Sequence, residues 1–219
     1  MGTTERRERH RASLRREILD AASGLFVEEG RDRVTMRRLA QKIEYSPTTI
    51  YLYFKDKQEL LGAICDETFS LLSAELERLK QTPGTPVARL REGLRTYVEF
   101  GTRHPNHYLV TFLQPHEPSG ESVFEGSEGA RAFGHLRDAV QRCAAQGDVK
   151  TDNVETTAQA LWAAVHGLTA LLITMKGFPF VQRKALIDHT IDTMMAGLRP
   201  SPPGSSASAR QSARLTFVD

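Results

Sequence analysis

The sequence has little of what most catalytic or secreted proteins rely on. Among 219 residues there are two cysteines, Cys65 and Cys143, one tryptophan and five tyrosines. Two cysteines are too few for a disulfide framework. His104 and His107 lie close together, but Pro105 intervenes and no Cys or carboxylate cluster completes a metal site. No Ser/His/Asp set, phosphate-binding glycine loop or Cys/His metal pattern has usable spacing, so neither an enzyme nor a bound cofactor is expected. The N-terminus runs through Arg6, Arg7, Arg9, Arg11, Arg15 and Arg16 without an apolar signal segment, which predicts a cytoplasmic protein. One long uncharged run exists, Thr156 to Met175. Its Thr156, Thr157, Gln159, His166, Thr169 and Thr174 fall on several faces and no basic cluster flanks it, so a core helix is expected there rather than a membrane span.

What remains is an ordinary globular composition, 40% apolar and 26% charged, with a net charge of +2. The charge is uneven: residues 1–57 carry 13 Lys/Arg against 9 Asp/Glu, and the rest 16 against 18. A basic N-terminal segment suits a polyanionic partner. Periodicity is helical nearly throughout and no strand pattern emerges, which predicts an all-α fold. Leu14, Ile18, Ala21, Ala22, Leu25 and Phe26 place a first helix over about 11–29, stopped by Gly30. Thr35 caps a short second helix carrying Met36, Leu39, Ala40 and Ile43, and Ser46-Pro47 opens a short third. A longer helix spans about 57–80, and others lie near 86–103, 105–114, 128–146, 152–176 and 181–197. A loop is expected at Pro115–Gly126 and a mobile tail from Pro200. The expected division is 1–57, 58–198 and a tail at 199–219.

Two short capped helices joined by a tight turn have helix-turn-helix spacing, in which the second helix enters the major groove. Thr35, Leu39-Ala40, Ile50-Tyr51, Tyr53-Phe54, Lys57 and Leu60-Leu61 make this segment resemble the TetR family of repressors, whose pattern includes a recognition helix ending Tyr-x-Tyr-Phe. The resemblance implies that Arg37, Pro47, Thr48, Thr49 and Leu52 face base edges, and that Thr35, Tyr51, Tyr53 and Lys57 grip phosphates. Arg forks, Thr hydroxyls and methyls, Tyr hydroxyls and a Lys ammonium suit those tasks. Glu44 departs from the pattern, standing in the turn where the family usually has Gly. A left-handed backbone there costs a side chain about 1–2 kcal/mol.

Leu161-Trp-Ala-Ala-Val-His-Gly-Leu168 is similar to the C-terminal domain of a TetR subgroup marked by Trp-x-x-x-His-Gly. Phe69, Phe100, His104, Tyr108, Phe112, Trp162 and His166, with Tyr97 and Phe133, sit on helices expected to surround a cavity for a small apolar or aromatic ligand. The helix near 152–176 has Leu161, Val165, Leu168 and Leu172 on one side and Trp162, His166, Thr169 and Ile173 on another. One side is expected to pack within the protomer and the other against a second copy, with the helix near 181–197 completing a four-helix homodimer interface. The resulting expectation is a repressor released from an inverted-repeat operator in double-stranded DNA by a small molecule. A constitutive DNA-binding dimer or an activator stays open beside it.

Overall fold

The computed structural model describes residues 3–113 and 125–200. Among these residues there are nine α-helices, one π-turn and no strand: α1 (Thr3–Glu29), α2 (Met36–Lys42), α3 (Pro47–Tyr51), α4 (Lys57–Leu79), α5 (Pro86–Arg103), α6 (Pro105–Tyr108), the π-turn Leu109–Leu113, α7 (Glu128–Ala145), α8 (Val154–Thr174) and α9 (Arg183–Gly197). The fold is all-α, as the periodicity indicates. The loop expected at Pro115–Gly126 lies outside the described residues up to 124, and the tail expected over 199–219 does so beyond 200.

Local chemistry sets most boundaries. The side chains of Thr35, Ser46, Asp56, Thr85, Ser127 and Asn153 each accept a backbone N–H in the first turn of the helix they open. Gly30, at φ 82°, ends α1 in the left-handed conformation that glycine adopts without strain. Two departures from the sequence reading have physical causes. Helix α1 begins at Thr3 rather than near residue 11; its first turns carry exposed charged side chains and no apolar face to betray them. The helix expected over 105–114 is, over its described residues, one α-turn followed by the wider π-turn, which shifts the faces presented by Val110 to Leu113.

Two hydrophobic clusters hold the chain together. The first gathers Leu14, Ile18, Leu19, Leu25 and Phe26 of α1, Leu39 of α2, Ile50 and Phe54 around α3, and Leu60, Leu61 and Ile64 from the first turns of α4. It also takes in Val110, from the π-turn. The second lies among α4, α5, α7, α8 and α9, with Leu90, Leu94, Val98, Phe100, Val140, Val165 and Ile191 among its buried members. Ion pairs of Arg91 with Asp192 and of Arg95 with Asp188 fasten α5 to α9.

Helix α8 buries more of itself within the protomer than its sequence suggests. Leu161, Val165 and Leu168 are buried, but so are Thr169 and Ile173 from the second of its two apolar faces, so neither face as a whole is left for a partner. The outward strip is made instead of Ala160, Leu171, Thr174 and Met175, with Ala164 and Gly167 half-buried beside it. Helix α8 is long and apolar enough to cross a bilayer by length and composition alone; here it packs against α5, α7 and α9.

The approach of α5 to α8 depends on Gly101. A Cβ there would lie 2.4 Å from Thr169 Cγ2 and 2.8 Å from Tyr108 Cδ2. Gly101→Ala is expected to cost about 1–3 kcal/mol through overpacking, read as a lower Tm in thermal unfolding with the helical signal of the folded state retained. An unchanged Tm would show that α5 and α8 separate freely.

Candidate functional site

The N-terminal surface is built from cap chemistry outward. Thr35 Oγ1 accepts from Arg38 N at 3.1 Å and so opens α2, and Arg37, two positions after Thr35, is exposed. The turn after α2 passes through Glu44 at φ 58°, the described non-glycine residue with a left-handed backbone. The side chain in this turn therefore carries the strain that the sequence pattern implies. Ser46 Oγ caps α3 by accepting from Thr49 N at 3.2 Å, and lies 2.9 Å from Thr49 Oγ1. Pro47 and Thr48 are exposed, Leu52 is 71% and Tyr51 53% exposed, and Ile50 and Phe54 anchor the helix in the core.

Arg37, Pro47, Thr48, Tyr51 and Leu52 thus lie exposed on α2 and α3. Thr49 has its hydroxyl tied into the cap. Tyr53 is half-buried beneath Arg11, whose guanidinium carbon stands 6.0 Å from the ring centre, and Arg15 lies 5.4 Å from the Phe54 ring. Lys57 is not a freely projecting cation: its Nζ donates to Arg31 O at 2.8 Å, clasping the start of α4 to the turn after α1. Arg11 and Arg15 are the residues that sequence reasoning missed. Their one signal is helical phase, since they lie on α1 within a turn of Leu14.

Behind this surface α4, α5, α7 and α8 enclose a cavity of about 560 Å³. Its wall is mainly aliphatic and aromatic, with Leu72, Leu76, Leu90, Leu94, Ala132 and Leu136 beside Phe69, Tyr97, Phe112, Phe133 and Trp162. Of the seven residues expected to meet a ligand, Phe69, Phe112 and Trp162 line the space. Phe100, His104, Tyr108 and His166 do not. Phe100 is buried in the core and packs against His104, their rings 4.8 Å apart, about one turn further along α5 than the lining residue Tyr97. Tyr108 and His166 stand one layer behind it.

That layer is a chain of hydrogen bonds. Trp162 Nε1 donates to Tyr97 Oη at 3.1 Å, Tyr97 Oη lies 3.2 Å from Tyr108 Oη, and Tyr108 Oη lies 2.7 Å from His166 Nδ1. With Tyr97 donating to Tyr108 and Tyr108 to His166, each hydroxyl donates and accepts once and Nδ1 accepts. In that arrangement His166 is neutral with its proton on Nε2, and its Nδ1 also lies 3.2 Å from Tyr97 Oη. Burial pushes the Tyr97 hydroxyl up to about 12 and the Tyr108 hydroxyl higher still, and holds the His166 imidazole below its ordinary value. The network is a structural strut joining α5, α6 and α8; only Tyr97 and Trp162 present it to the cavity. No group of His, Cys, Asp and Glu able to hold a metal ion occurs among the described residues.

The π-turn connects the two regions. Val110 is fully buried in the N-terminal cluster and Phe112 lines the cavity, while Thr111 Oγ1 donates to Thr68 Oγ1 of α4 at 3.1 Å. Just before it, His107 of α6 lies 3.3 Å from Ser23 Oγ and 3.5 Å from Asp20 Oδ1 of α1.

A capped short helix, a left-handed turn and a second short helix with its outer face exposed, backed by a helical domain, define a helix-turn-helix DNA-binding regulator rather than an enzyme. Comparison with known proteins agrees. Residues 18–64 match the family described as bacterial regulatory proteins, tetR family, and residues 90–194 match the tetracyclin repressor-like C-terminal domain. The chain belongs to the TetR family of transcriptional regulators. It is similar to the HTH-type transcriptional repressor Rv1474c of Mycobacterium tuberculosis, 41% identical over 71 residues, which are 32% of this chain and 38% of that one. The curated relatives are matched over only 36–42% of their length. The fold extends further. The TetR family regulator PfmR from Thermus thermophilus superposes with a TM-score of 0.69 at 20% identity, covering 84% of this chain and 99% of that one. FadR from Bacillus subtilis, solved in complex with stearoyl-CoA, gives 0.69 at 18% identity, covering 83% and 98%.

The depressed basicity of His166 has a measurable consequence. Because the folded chain disfavours the imidazolium while the unfolded chain accepts a proton at the ordinary value, its contribution to stability is full above about pH 6.5 and is lost as pH falls through the folded-state value. His107 and His135 are lowered by burial in the same direction. The urea midpoint is expected to drop between about pH 7.5 and about pH 5.5, and to drop less steeply in His166→Asn. Equal slopes in the two proteins would remove His166 from the cause.

Proposed function

We propose that this protein is a cytoplasmic homodimeric repressor that binds an inverted-repeat operator and is released by a ligand held in the cavity. Arg37, Pro47, Thr48, Thr49 and Leu52 read base edges, and Thr35, Tyr51 and Tyr53 support the phosphate contacts. Lys57 has two remaining ammonium protons to offer a phosphate while its third holds Arg31 O. A single short helix buries too little surface to specify a site, so two copies reading successive major grooves are required. The uncharged outer strip of α8, with Ala160, Leu171 and Met175, and the neighbouring face of α9 supply the dimer surface.

The observation that carries the regulatory part is the π-turn, whose five residues contribute to both the cavity wall and the core beneath α3 and α4. A ligand that displaces Phe112 moves Val110 and Thr111 with it, shifting α4 and the spacing of the paired recognition helices. A coupling of about 1–3 kcal/mol changes operator affinity roughly 5- to 150-fold. The cavity favours this reading over a constitutive DNA-binding dimer, which needs no such space. That FadR was solved in complex with stearoyl-CoA supports a ligand-binding role for such a fold.

Gel-shift titration against the DNA flanking the protein's own gene tests the DNA-binding part. Wild type is expected to shift an inverted repeat with affinity that falls steeply as salt rises. Arg37→Ala is expected to lose about 1–3 kcal/mol of discrimination at one base pair, and Tyr51→Phe about 0.5–1.5 kcal/mol of binding on every sequence. Failure to shift any inverted repeat at low salt, or full affinity in Arg37→Ala, would overturn the assignment.

A further inference from the structure

We infer that the cavity takes an elongated apolar chain with an anionic head, and that Lys80, Arg89 and Arg142 receive the head. The inference rests on the preceding reading of the cavity as effector site and specifies its occupant.

The charged lining residues fall at helix ends. Lys80 follows the last residue of α4, Arg89 lies in the first turn of α5, Arg142 in the last turn of α7 and Glu155 in the first turn of α8. Helices α4 and α7 end where α5 and α8 begin, so all four charges gather at one end of the cavity. From there the wall runs inward through leucines and alanines to Phe69 and Phe112, whose rings meet edge to face with centres 5.3 Å apart. At 1.5 Å per residue, the eleven steps from Phe69 to Lys80 span about 16 Å, and the thirteen from Gly129 to Arg142 about 20 Å. The space is thus long as well as apolar, which fits an extended hydrocarbon chain better than a compact ring.

This end of the cavity carries an excess of positive charge. Against the three cations stands one lining carboxylate, Glu155, which accepts from Gln159 Nε2 at 2.9 Å. Glu77, outside the lining, pairs with Lys80 at 2.6 Å and lies 3.7 Å from His135 Nδ1. Burial keeps the His135 imidazole below its ordinary value, so it adds little charge at neutral pH. Arg89 is steadied by donating from Nε to Thr82 O at 3.1 Å. A neutral chain entering past these groups removes water from cations without replacing it; an anionic head replaces it with charge-assisted hydrogen bonds. A carboxylate on the chain itself and a phosphate-bearing carrier joined to it by a thioester both meet this requirement.

Trp162 is the chain's single tryptophan and lines the cavity, so its fluorescence reports occupancy directly. The full-length protein and the triple variant Lys80→Ala, Arg89→Ala, Arg142→Ala are titrated with dodecanoate, dodecanoyl-coenzyme A and dodecanol. At least one anion is expected to bind wild type about tenfold more tightly than dodecanol, and the variant to lose that preference while still binding dodecanol. Tighter binding of dodecanoate identifies a carboxylate head, and of the coenzyme A ester a phosphate-bearing one. Equal affinity for anions and alcohol, an anion preference that survives in the variant, or no Trp162 response to any chain would overturn the inference. Dodecanol binding without anion preference would leave the effector-site reading standing. That reading fails separately, if a chain that occupies the cavity leaves operator binding unchanged.

Discussion

Residues Leu109–Leu113 have to serve two hydrophobic clusters at once, and the rest of the molecule is arranged around that requirement. In an α-helix, residues two apart lie on nearly opposite faces, so one stretch of helix between two cores can feed both. The wider π-turn does this within five residues: Val110 fills the cluster under the recognition helix, Phe112 closes the inner end of the cavity, and Thr111 bonds to α4 between them. π-turns are rare and recur at functional sites. Here the turn leaves little slack, because Val110 and Tyr108 are both fully buried. Packed cores respond to displacement by switching arrangement rather than by yielding gradually.

The DNA-facing end is stiffened in a complementary way. Asp56 caps α4 by accepting from Glu59 N at 2.8 Å, and Glu59 returns the bond by accepting from Lys55 N at 2.7 Å. Lys57 fastens the same turn to Arg31 O. A displacement of α4 therefore reaches α3 without being absorbed in the short segment between them. Side-chain hydrogen bonds at α1 join the far side: His107 meets Ser23 and Asp20, so α6 is seated against α1 as well as α4. The aromatic strut from Trp162 through Tyr97 and Tyr108 to His166 performs the same service around the cavity, holding α5 and α8 to the residues that precede the π-turn.

Features that depend on local chemistry were legible in the sequence. The caps at Thr35 and Ser46, the stop at Gly30 and the strained turn at Glu44 are each decided by a few neighbouring atoms. The cavity was legible only in outline. Phe69, Phe112 and Trp162 reach it while Phe100, Tyr108 and His166 do not, because how far along α5 and α8 the space extends depends on how the helices pack: Phe100 and His166 share the faces of the lining residues but stand further along each helix. Leu72, Leu76, Leu90 and Leu94 line it, yet in sequence they are indistinguishable from core leucines. The cations at one end of it went unread for a related reason: Lys80, Arg89 and Arg142 are far apart in the chain and meet only because four helices end or begin at one level. The π-turn leaves no local signature in Leu-Val-Thr-Phe-Leu, and it changes the phase of the residues within it.

In the proposed mechanism the cavity and the DNA surface are two ends of one packed element, and this can be tested without knowing the natural ligand. Ala132 lines the cavity on α7 and is remote in sequence from the helix-turn-helix. Ala132→Phe fills part of the space from within. Operator affinity of this variant, measured beside wild type under identical salt, is the most direct measurement. The account predicts a loss of about fivefold or more in a variant whose circular dichroism and dimerisation are unchanged. Undiminished operator affinity in such a folded, filled variant would contradict it.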